Sequence, residues 1–266
     1  MVPNLYGALS GDGPIARTGP PMFREAPGVG SSEVVIESPM HDARLDTMPN
    51  DDVARVVDVW RRRYRDLSAT PNIRAVVVFK NFGTLAGTSL GHPHSQVVAT
   101  PVFLPRLIRR LDIATRHFDE NGICVYCELI AAEREAAARV VDECGPFVAF
   151  EPFAANSPFE TWIAPTMHQG SFHDMADEEV DDLARILRRT LDAIRTTCAD
   201  PDFNLVVYSA PIDGYEVVFH WHLKILPKLS TPAGFEMGSA MSINTVPPED
   251  AALALRGALA PPNERA

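Results

Sequence analysis

The sequence contains no long apolar run. No stretch of its 266 residues reaches the ~18 consecutive apolar residues that a membrane-spanning helix needs, and the amino terminus lacks the basic start and apolar core of a secretory signal. Cysteine is also scarce. The four cysteines in a chain of this size do not indicate a disulfide framework. We therefore expect a cytoplasmic protein without a membrane partner.

Basic side chains are few as well. Lysine and arginine total 24 against 35 aspartates and glutamates, which gives a formal net charge of -11 and a pI near 5.2. A nucleic-acid or anionic-membrane partner calls for a basic face, so this balance argues against either as the main partner. A bound nucleotide needs only a few local donors and stays compatible with it. With 46% hydrophobic residues, the chain has enough apolar material for one large domain or two small ones.

Hydrophobic periodicity begins only after residue 30. Residues 1–30 are rich in glycine and in prolines such as Pro3 and Pro14, so we expect an extended amino-terminal segment. Asn50 or Asp51 is expected to cap the first helix. The patterns predict strands at 33–37, 75–79, 97–99, 146–151, 159–164, 204–208 and 216–226, and helices at 51–67, 106–118, 129–138 and 177–196.

The chain carries an internal repeat. A Pro-Met-His or Pro-Thr-Met-His segment is followed by an acidic-capped helix, a strand and a His-x-His pair, once in each part of the sequence. His41 and His168 are 127 residues apart, and His92 and His220 are 128 residues apart. The matched spacings favour a duplication over chance. We predict two similar α+β halves, residues 1–122 and 123–266.

Each half therefore has one His-x-His pair. Residues i and i+2 of a strand point to the same face, so His92 and His94 can present their imidazoles side by side, as can His220 and His222. A lone buried histidine is usually a hydrogen-bonded core residue, but two such pairs in one chain indicate a function.

A glycine-rich stretch, Phe79–Gly91, runs directly into His92. Its small residues would let backbone amides and hydroxyls approach phosphate oxygens closely. On its own the stretch is typical of a flexible surface loop. Its combination with a histidine pair and with Gln96 predicts a site that handles phosphate groups.

Two cysteines and two histidines are candidate metal ligands. Cys124, Cys127, His168 and His220 have the composition of a tetrahedral Cys2His2 zinc site, and the alternative is a pair of free thiols with two unrelated histidines. His41 and His92 are the matching ligands of the first half. No cysteine pair precedes them in this sequence, so we expect the first-half metal site to be incomplete.

Several motifs now point to one family: Phe79-x-Asn81-x-Gly83, Gly87-x-Ser89, His92-Pro93-His94-Ser95-Gln96, Phe159-Glu160-Thr161-Trp162 and Phe219-His220-Trp221-His222. Over nearly the whole chain they resemble the galactose-1-phosphate uridylyltransferase family of the histidine-triad superfamily. The segments Gly234–Gly238, Ile243-Asn244 and Pro248–Asp250 look closer to the branch that includes ADP-sugar phosphorylases.

The resemblance implies a fold of two tandem histidine-triad-like repeats, each an antiparallel sheet with packed helices. It also implies that His94 attacks the α-phosphorus of a nucleoside-diphosphate sugar and forms a nucleotidyl-histidine while hexose 1-phosphate leaves. A second hexose 1-phosphate as acceptor makes the enzyme a uridylyltransferase acting on UDP-glucose, whereas inorganic phosphate makes it an ADP-sugar phosphorylase. Family members are often homodimers.

The family also implies roles for individual residues. Gln96 would donate to a non-bridging phosphate oxygen, and the nucleotide phosphates would be held by Asn81, Gly87 and Ser89, with help from Ser95. Both Zn²⁺ ions would be structural, one on Cys124, Cys127, His168 and His220 and the other involving His41 and His92.

Two rival functions stay open. Hydrolytic members of the superfamily have a third histidine where this chain has Gln96, which favours nucleotidyl transfer over nucleotide hydrolysis. The other rival is a non-catalytic, zinc-stabilised nucleotide-binding protein, because family members begin with a further segment that bears a Cys-x-x-Cys pair.

Overall fold

The structure, a computed structural model, describes residues 1–4, 7, 9, 11, 13, 15–212 and 214–260. Pro14 of the predicted amino-terminal segment and residues 261–266 of the predicted second half lie outside these ranges. The strands are β1 (Val2–Pro3), β2 (Ser31–Ile36), β3 (Ala75–Phe82), β4 (His94–Thr100), β5 (Val140–Cys144), β6 (Phe147–Phe150), β7 (Thr161–Pro165), β8 (Phe203–Tyr208) and β9 (His222–Pro227). The helices are α1 (Asn50–Ser68), α2 (Pro105–Asn121), α3 (Val125–Ala136), α4 (Val180–Thr197), α5 (Gly234–Ser239) and α6 (Pro248–Leu259).

All these strands form one antiparallel sheet in the order β1-β2-β4-β3-β8-β9-β7-β6-β5. The middle of this order is symmetric, because β2-β4-β3 of the first repeat meet β8-β9-β7 of the second. At the centre, Val78 pairs with Val207 and Lys80 pairs with Leu205. Moving Val78 forward and Val207 back by 127 residues turns the first pair into the second. The structure thus confirms the repeated α+β antiparallel fold, while the boundary at residue 122 stays a prediction.

Helices α1 and α4 cover one face of the sheet. In α1 the side chains of Val53, Val57, Trp60 and Tyr64 recur at helical spacing and are all buried. The helix packs against α4, its counterpart in the repeat. Neither predicted capping residue caps α1, because the N-cap position is Pro49 and no side chain bonds there. Apolar packing, more than capping, therefore holds α1 in place.

Helices α2 and α3 cover part of the opposite face. Leu107 and Leu111 of α2 pack against Phe219 and Ala210, and Ile130 of α3 packs against the β6–β7 region. Helix α2 ends at Gly122, whose φ of 70° is the left-handed conformation that glycine adopts most easily. The chain can then turn at once into Cys124 and α3.

Several elements differ from the prediction. Strands β1 and β5 and helices α5 and α6 were not predicted, and residues 216–221, predicted as strand, form a turn in which Phe219 N donates to Tyr215 O. Strand β9 therefore begins at His222, as β4 begins at His94. No helix in the described ranges is long and apolar enough to cross a membrane.

Candidate active site

His94 is the first residue of β4 and is 7% exposed. Its Nδ1 lies 2.9 Å from the backbone oxygen of His92. Because a carbonyl oxygen only accepts, Nδ1 must carry the proton and Nε2 must carry the lone pair. Within the described part of the chain, Nε2 has no hydrogen-bond partner. The backbone thus fixes the tautomer that makes Nε2 a nucleophile.

A cavity of about 470 Å³ lies next to His94. It is lined by the end of β3, the loop that precedes β4, and the segment that follows β2, including Lys80, Asn81, Thr88 and Gly91. Its volume falls in the range of small-molecule sites. Gln96 is two residues beyond His94 on β4 and shares its face of the sheet.

The glycine-rich stretch forms the end of β3, a 3₁₀ turn at Thr84–Ala86 and an exposed loop. Gly83 requires glycine, because its φ is 83° and a Cβ there would lie 1.8 Å from Asp202 Oδ1. Gly87 also has a positive φ of 86°, but open space surrounds it. Gly87 and Ser89 are exposed in this loop and do not line the cavity.

Ser95 does not fit its predicted role in substrate binding. It is fully buried on the helix-covered face of the sheet, where its Oγ accepts a hydrogen bond of 2.6 Å from Trp60 Nε1. Successive residues of a strand face opposite ways, so a substrate beside His94 cannot reach Ser95. We correct the prediction: Ser95 anchors β4 to α1.

His92 and His94 do not lie side by side as predicted, because β4 begins only at His94. His92 turns toward His41, and the two Nδ1 atoms are 3.4 Å apart. His92 Nε2 donates to Ser38 O at 2.8 Å, which leaves a lone pair on Nδ1. His41 and His92 can therefore supply nitrogen ligands to one cation.

The second half brings its predicted metal ligands together. The ligand atoms of Cys124, Cys127 and His168 all lie within 4.8 Å of one another. His220 is just outside this group, but its Nδ1 is 3.4 Å from Cys127 Sγ. This arrangement can hold a metal ion.

Hydrogen bonds aim both of these imidazoles at the thiols. His168 Nε2 donates to Glu216 O at 2.8 Å and His220 Nε2 donates to Pro165 O at 2.9 Å, so each Nδ1 keeps its lone pair. Such backing bonds are usual for histidine ligands of metals. The Cys127 thiol donates to Cys124 and lowers the pKa of Cys124 to about 6. Burial, with His168 nearby, lowers the pKa of His220 to about 4. Both shifts favour the forms that bind metal, whereas the same hydrogen bond raises the pKa of Cys127, which a bound cation would have to deprotonate.

His222 is the counterpart of His94, and its Nδ1 makes the same bond, 3.1 Å from His220 O. Its ring, however, is buried. It stacks on Trp162 with centroids 4.2 Å apart and on Tyr208 at 5.3 Å. Its Nε2 is buried without a hydrogen-bond partner, and burial holds its pKa well below the ordinary value. Of these two counterparts, His94 lines a cavity and His222 does not.

A buried ion pair beneath His94 was not predicted from the sequence. Lys80 Nζ lies 2.6 Å from Glu37 Oε2 and donates to His94 O at 3.1 Å, and both side chains are almost fully buried. The available signal was a lysine directly after the apolar run Ala75–Phe79 of β3.

Fold and site together define a duplicated α+β protein with a His-x-His pair in each repeat, one ending beside a cavity and the other ending in the core. Comparisons with known proteins agree. A model of the galactose-1-phosphate uridyl transferase N-terminal domain matches residues 2–103. ADP-glucose phosphorylase of Arabidopsis thaliana is 36% identical over 96% of this chain and 73% of its own length. Galactose-1-phosphate uridylyltransferase of Thermotoga maritima is 33% identical over 95% of this chain and 82% of its own.

A solved structure shows the same likeness. The crystal structure of an ADP-glucose phosphorylase from Arabidopsis thaliana with bound ADP-glucose has a TM-score of 0.84 and 33% identity over 96% of this chain and 79% of that chain. The chain belongs to the galactose-1-phosphate uridylyltransferase family. It is an enzyme of the nucleotidyltransferase type.

Proposed function

We propose that the protein transfers a nucleotidyl group from a nucleoside-diphosphate sugar through a covalent intermediate on His94. The observation that carries this proposal is the fixed tautomer of His94, with Nε2 unpartnered beside a cavity of suitable volume. A neutral imidazole is a competent nucleophile near pH 7, and a two-step transfer lets one site serve both substrates in turn.

The transfer has two steps, one for each substrate. The Nε2 lone pair attacks the α-phosphorus, an Nε2–P bond forms, and the bond from that phosphorus to the bridging oxygen breaks. Hexose 1-phosphate leaves with the electron pair and needs no proton, because its phosphate is a good leaving group. The positive charge that develops on the imidazole is stabilised by the bond from Nδ1–H to His92 O. In the second step a phosphate oxygen of the acceptor attacks the same phosphorus, the Nε2–P bond breaks, and the electron pair returns to Nε2.

The polar groups around His94 would hold the phosphates. Gln96, on the same face of β4, would donate to a non-bridging oxygen, and Asn81 would donate from the cavity wall. Gly87 and Ser89 would reach the substrate if their exposed loop closes over it.

We propose that the metal is zinc. Cys124, Cys127, His168 and His220 supply the two thiolates and two imidazoles of a structural tetrahedral site, and the backing bonds support this assignment. His41 and His92 would contribute to a second ion. Zinc would here supply folding energy and fix loops; the chemistry of His94 needs no Lewis acid from it.

The acceptor and the base distinguish two candidates. We favour a uridylyltransferase that acts on UDP-glucose and a hexose 1-phosphate, because the chain belongs to the family of that name. An ADP-sugar phosphorylase that uses inorganic phosphate is the alternative, and the 36% identical relative of that name supports it. For either candidate we expect a homodimer in solution.

The test is direct detection of the intermediate. The zinc-loaded protein is incubated with UDP-glucose or ADP-glucose, unfolded without acid, and weighed intact. We expect a UMP or AMP adduct in the wild type and none in His94→Ala, while His222→Phe keeps the adduct because His222 is sealed in the core. Adding hexose 1-phosphate or phosphate identifies the acceptor that removes the adduct. Binding of both nucleotides without an adduct would instead support the non-catalytic alternative.

A further inference from the structure

Two side chains of the second repeat, one just before β8 and one in it, contact the glycine-rich stretch of the first repeat. Asp202 Oδ2 accepts a hydrogen bond of 2.6 Å from Leu85 N, in the 3₁₀ turn of the glycine-rich stretch. Asn204 Nδ2 lies 2.8 Å from Asn81 Oδ1 and 2.9 Å from Ala86 O. Asn81 and Asn204 are direct partners in the β3–β8 pairing. The second repeat is thus in contact with the first one at the site.

This geometry fixes which way the Asn81 amide points. The backbone oxygen of Ala86 can only accept, so the Asn204 atom that faces it is the donor Nδ2. An NH₂ group has two protons, and the second points to Asn81, whose facing atom must therefore be the acceptor Oδ1. Asn81 Nδ2 is then directed away from Asn204, and within the described residues it donates to no other group.

Asn81 lines the same cavity as His94. An amide presents either a donor or an acceptor to a ligand, depending on a half-turn about its last bond. A phosphate oxygen needs the donor, and an acceptor in the same place would repel it. Which group Asn81 presents is therefore decided by its neighbour.

We propose that Asn204 is a positioning residue for the transfer: it orients Asn81 so that Nδ2 donates to a phosphate oxygen of the nucleotide bound at His94. The inference rests on the proposed function and adds to it a contribution from the second repeat. Asn204 touches no substrate atom; it acts through Asn81, and through Ala86 it holds the loop that follows.

Asn204→Asp gives the sharpest test. The new carboxylate has only acceptors, so it repels Ala86 O and draws the Asn81 NH₂ group toward itself. Asn81 then presents Oδ1 to the phosphate. Asn204→Ala merely frees the Asn81 amide to turn. We expect the rate of adduct formation to fall about 10- to 100-fold in Asn204→Asp and less in Asn204→Ala, as loss of a hydrogen bond to a charged group predicts.

Two readouts separate positioning from general damage. Affinity for UDP or ADP should fall in Asn204→Asp, while affinity for the free nucleoside should stay within twofold of wild type, because only the phosphates lose a donor. In the Asn81→Ala background, adding Asn204→Ala should lower the rate by a smaller factor than it does in the wild type. Asn121→Asp is the matched control, since Asn121 Nδ2 also donates to a backbone oxygen, that of His117, but outside the cavity.

The outcomes are distinct. If nucleoside and nucleotide affinity fall together, or if the two substitutions have independent effects on the rate, Asn204 has only a structural role and the inference is wrong. If the wild type binds UDP or ADP but forms no adduct, the proposed covalent function fails; the nucleotide and nucleoside affinities of Asn204→Asp then decide the positioning role by themselves.

Discussion

At the scale of single residues, His94 and His222 end the two His-x-His pairs but lie in different surroundings. Both donate from Nδ1 to the backbone oxygen two residues earlier. What differs is the cover over Nε2: a cavity beside His94, and the rings of Trp162 and Tyr208 against His222. Aromatic packing there stabilises the sheet and covers His222, so we expect the chemistry to take place in the first repeat alone.

Lys80 lies beneath His94, and its replacement should affect both the stability of the protein and the site. Lys80→Met keeps the size of the side chain but leaves the Glu37 carboxylate buried without its cation, and Glu37 Oε1 already has no partner. Breaking a buried pair in this way costs about 3–5 kcal/mol. We expect a loss of that order in the free energy of unfolding, measured by urea denaturation, and slower adduct formation because His94 O loses a donor.

The matched comparison is the double substitution Lys80→Met with Glu37→Gln. It removes both charges and should recover a large part of the lost stability. A double variant no more stable than Lys80→Met would show that the charge left on Glu37 is not what destabilises the protein.

At the scale of elements, the glycine-rich loop offers a matched pair of substitutions. Gly83 and Gly87 have nearly the same positive φ, but only Gly83 is packed against Asp202. Gly87→Ala should lose about 1–2 kcal/mol from the left-handed backbone alone. Gly83→Ala should lose more, because Asp202 must move and release Leu85 N.

Thermal unfolding of the two variants and hydrogen exchange at the Leu85 amide provide the measurements. Faster exchange is expected in Gly83→Ala only. Equal losses of stability and equal exchange in both variants would mean that Asp202 does not hold the turn.

Elements with strong internal patterns could be predicted from the sequence, and those defined by pairing could not. Helix α1 and strand β3 have clear periodicity, and the repeat located both His-x-His pairs. Strand β5 was missed because Asp142 and Glu143 break its apolar pattern at the edge of the sheet. The role assigned to Ser95 was wrong because strand alternation sends it to the opposite face from His94. Asn204 carries no sequence signal, since its role depends on its partner across β3 and β8.

At the scale of the whole molecule, the predicted zinc site connects parts of the chain that are distant in sequence. Cys124 is the residue before α3 and Cys127 lies in its first turn, His168 follows β7, and His220 precedes β9. Removing zinc with a strong chelator should therefore lower the unfolding temperature by several degrees and release one ion for this site. Cys127→Ser should bind less zinc, whereas Cys144→Ser, at a half-buried thiol outside the site, should retain it. A chelator-resistant unfolding temperature with no zinc released would contradict the assignment.

Global stability should also depend on a buried acid that takes no part in the site. Glu151 is fully buried just after β6; its Oε1 accepts from Thr161 Oγ1 at 2.6 Å and its Oε2 has no partner. Burial raises the pKa of Glu151 from 4.5 to about 8. In the folded protein this carboxyl therefore keeps its proton at neutral pH, where an unfolded chain has lost it.

The sign of the effect follows from this difference. Below the unfolded pKa both states are protonated and Glu151 has no pH-dependent effect. As the pH rises from about 5 to about 8, the free energy of unfolding falls by up to about 1.4 kcal/mol per pH unit, because only the unfolded state releases its proton. Glu151→Gln has the same shape without the titration, so its stability advantage over wild type should grow across this range and level off above it. Urea denaturation at several pH values measures that difference. Glu120→Gln, at an exposed position, is the control. A stability difference that does not change with pH would mean that Glu151 ionises in the folded core.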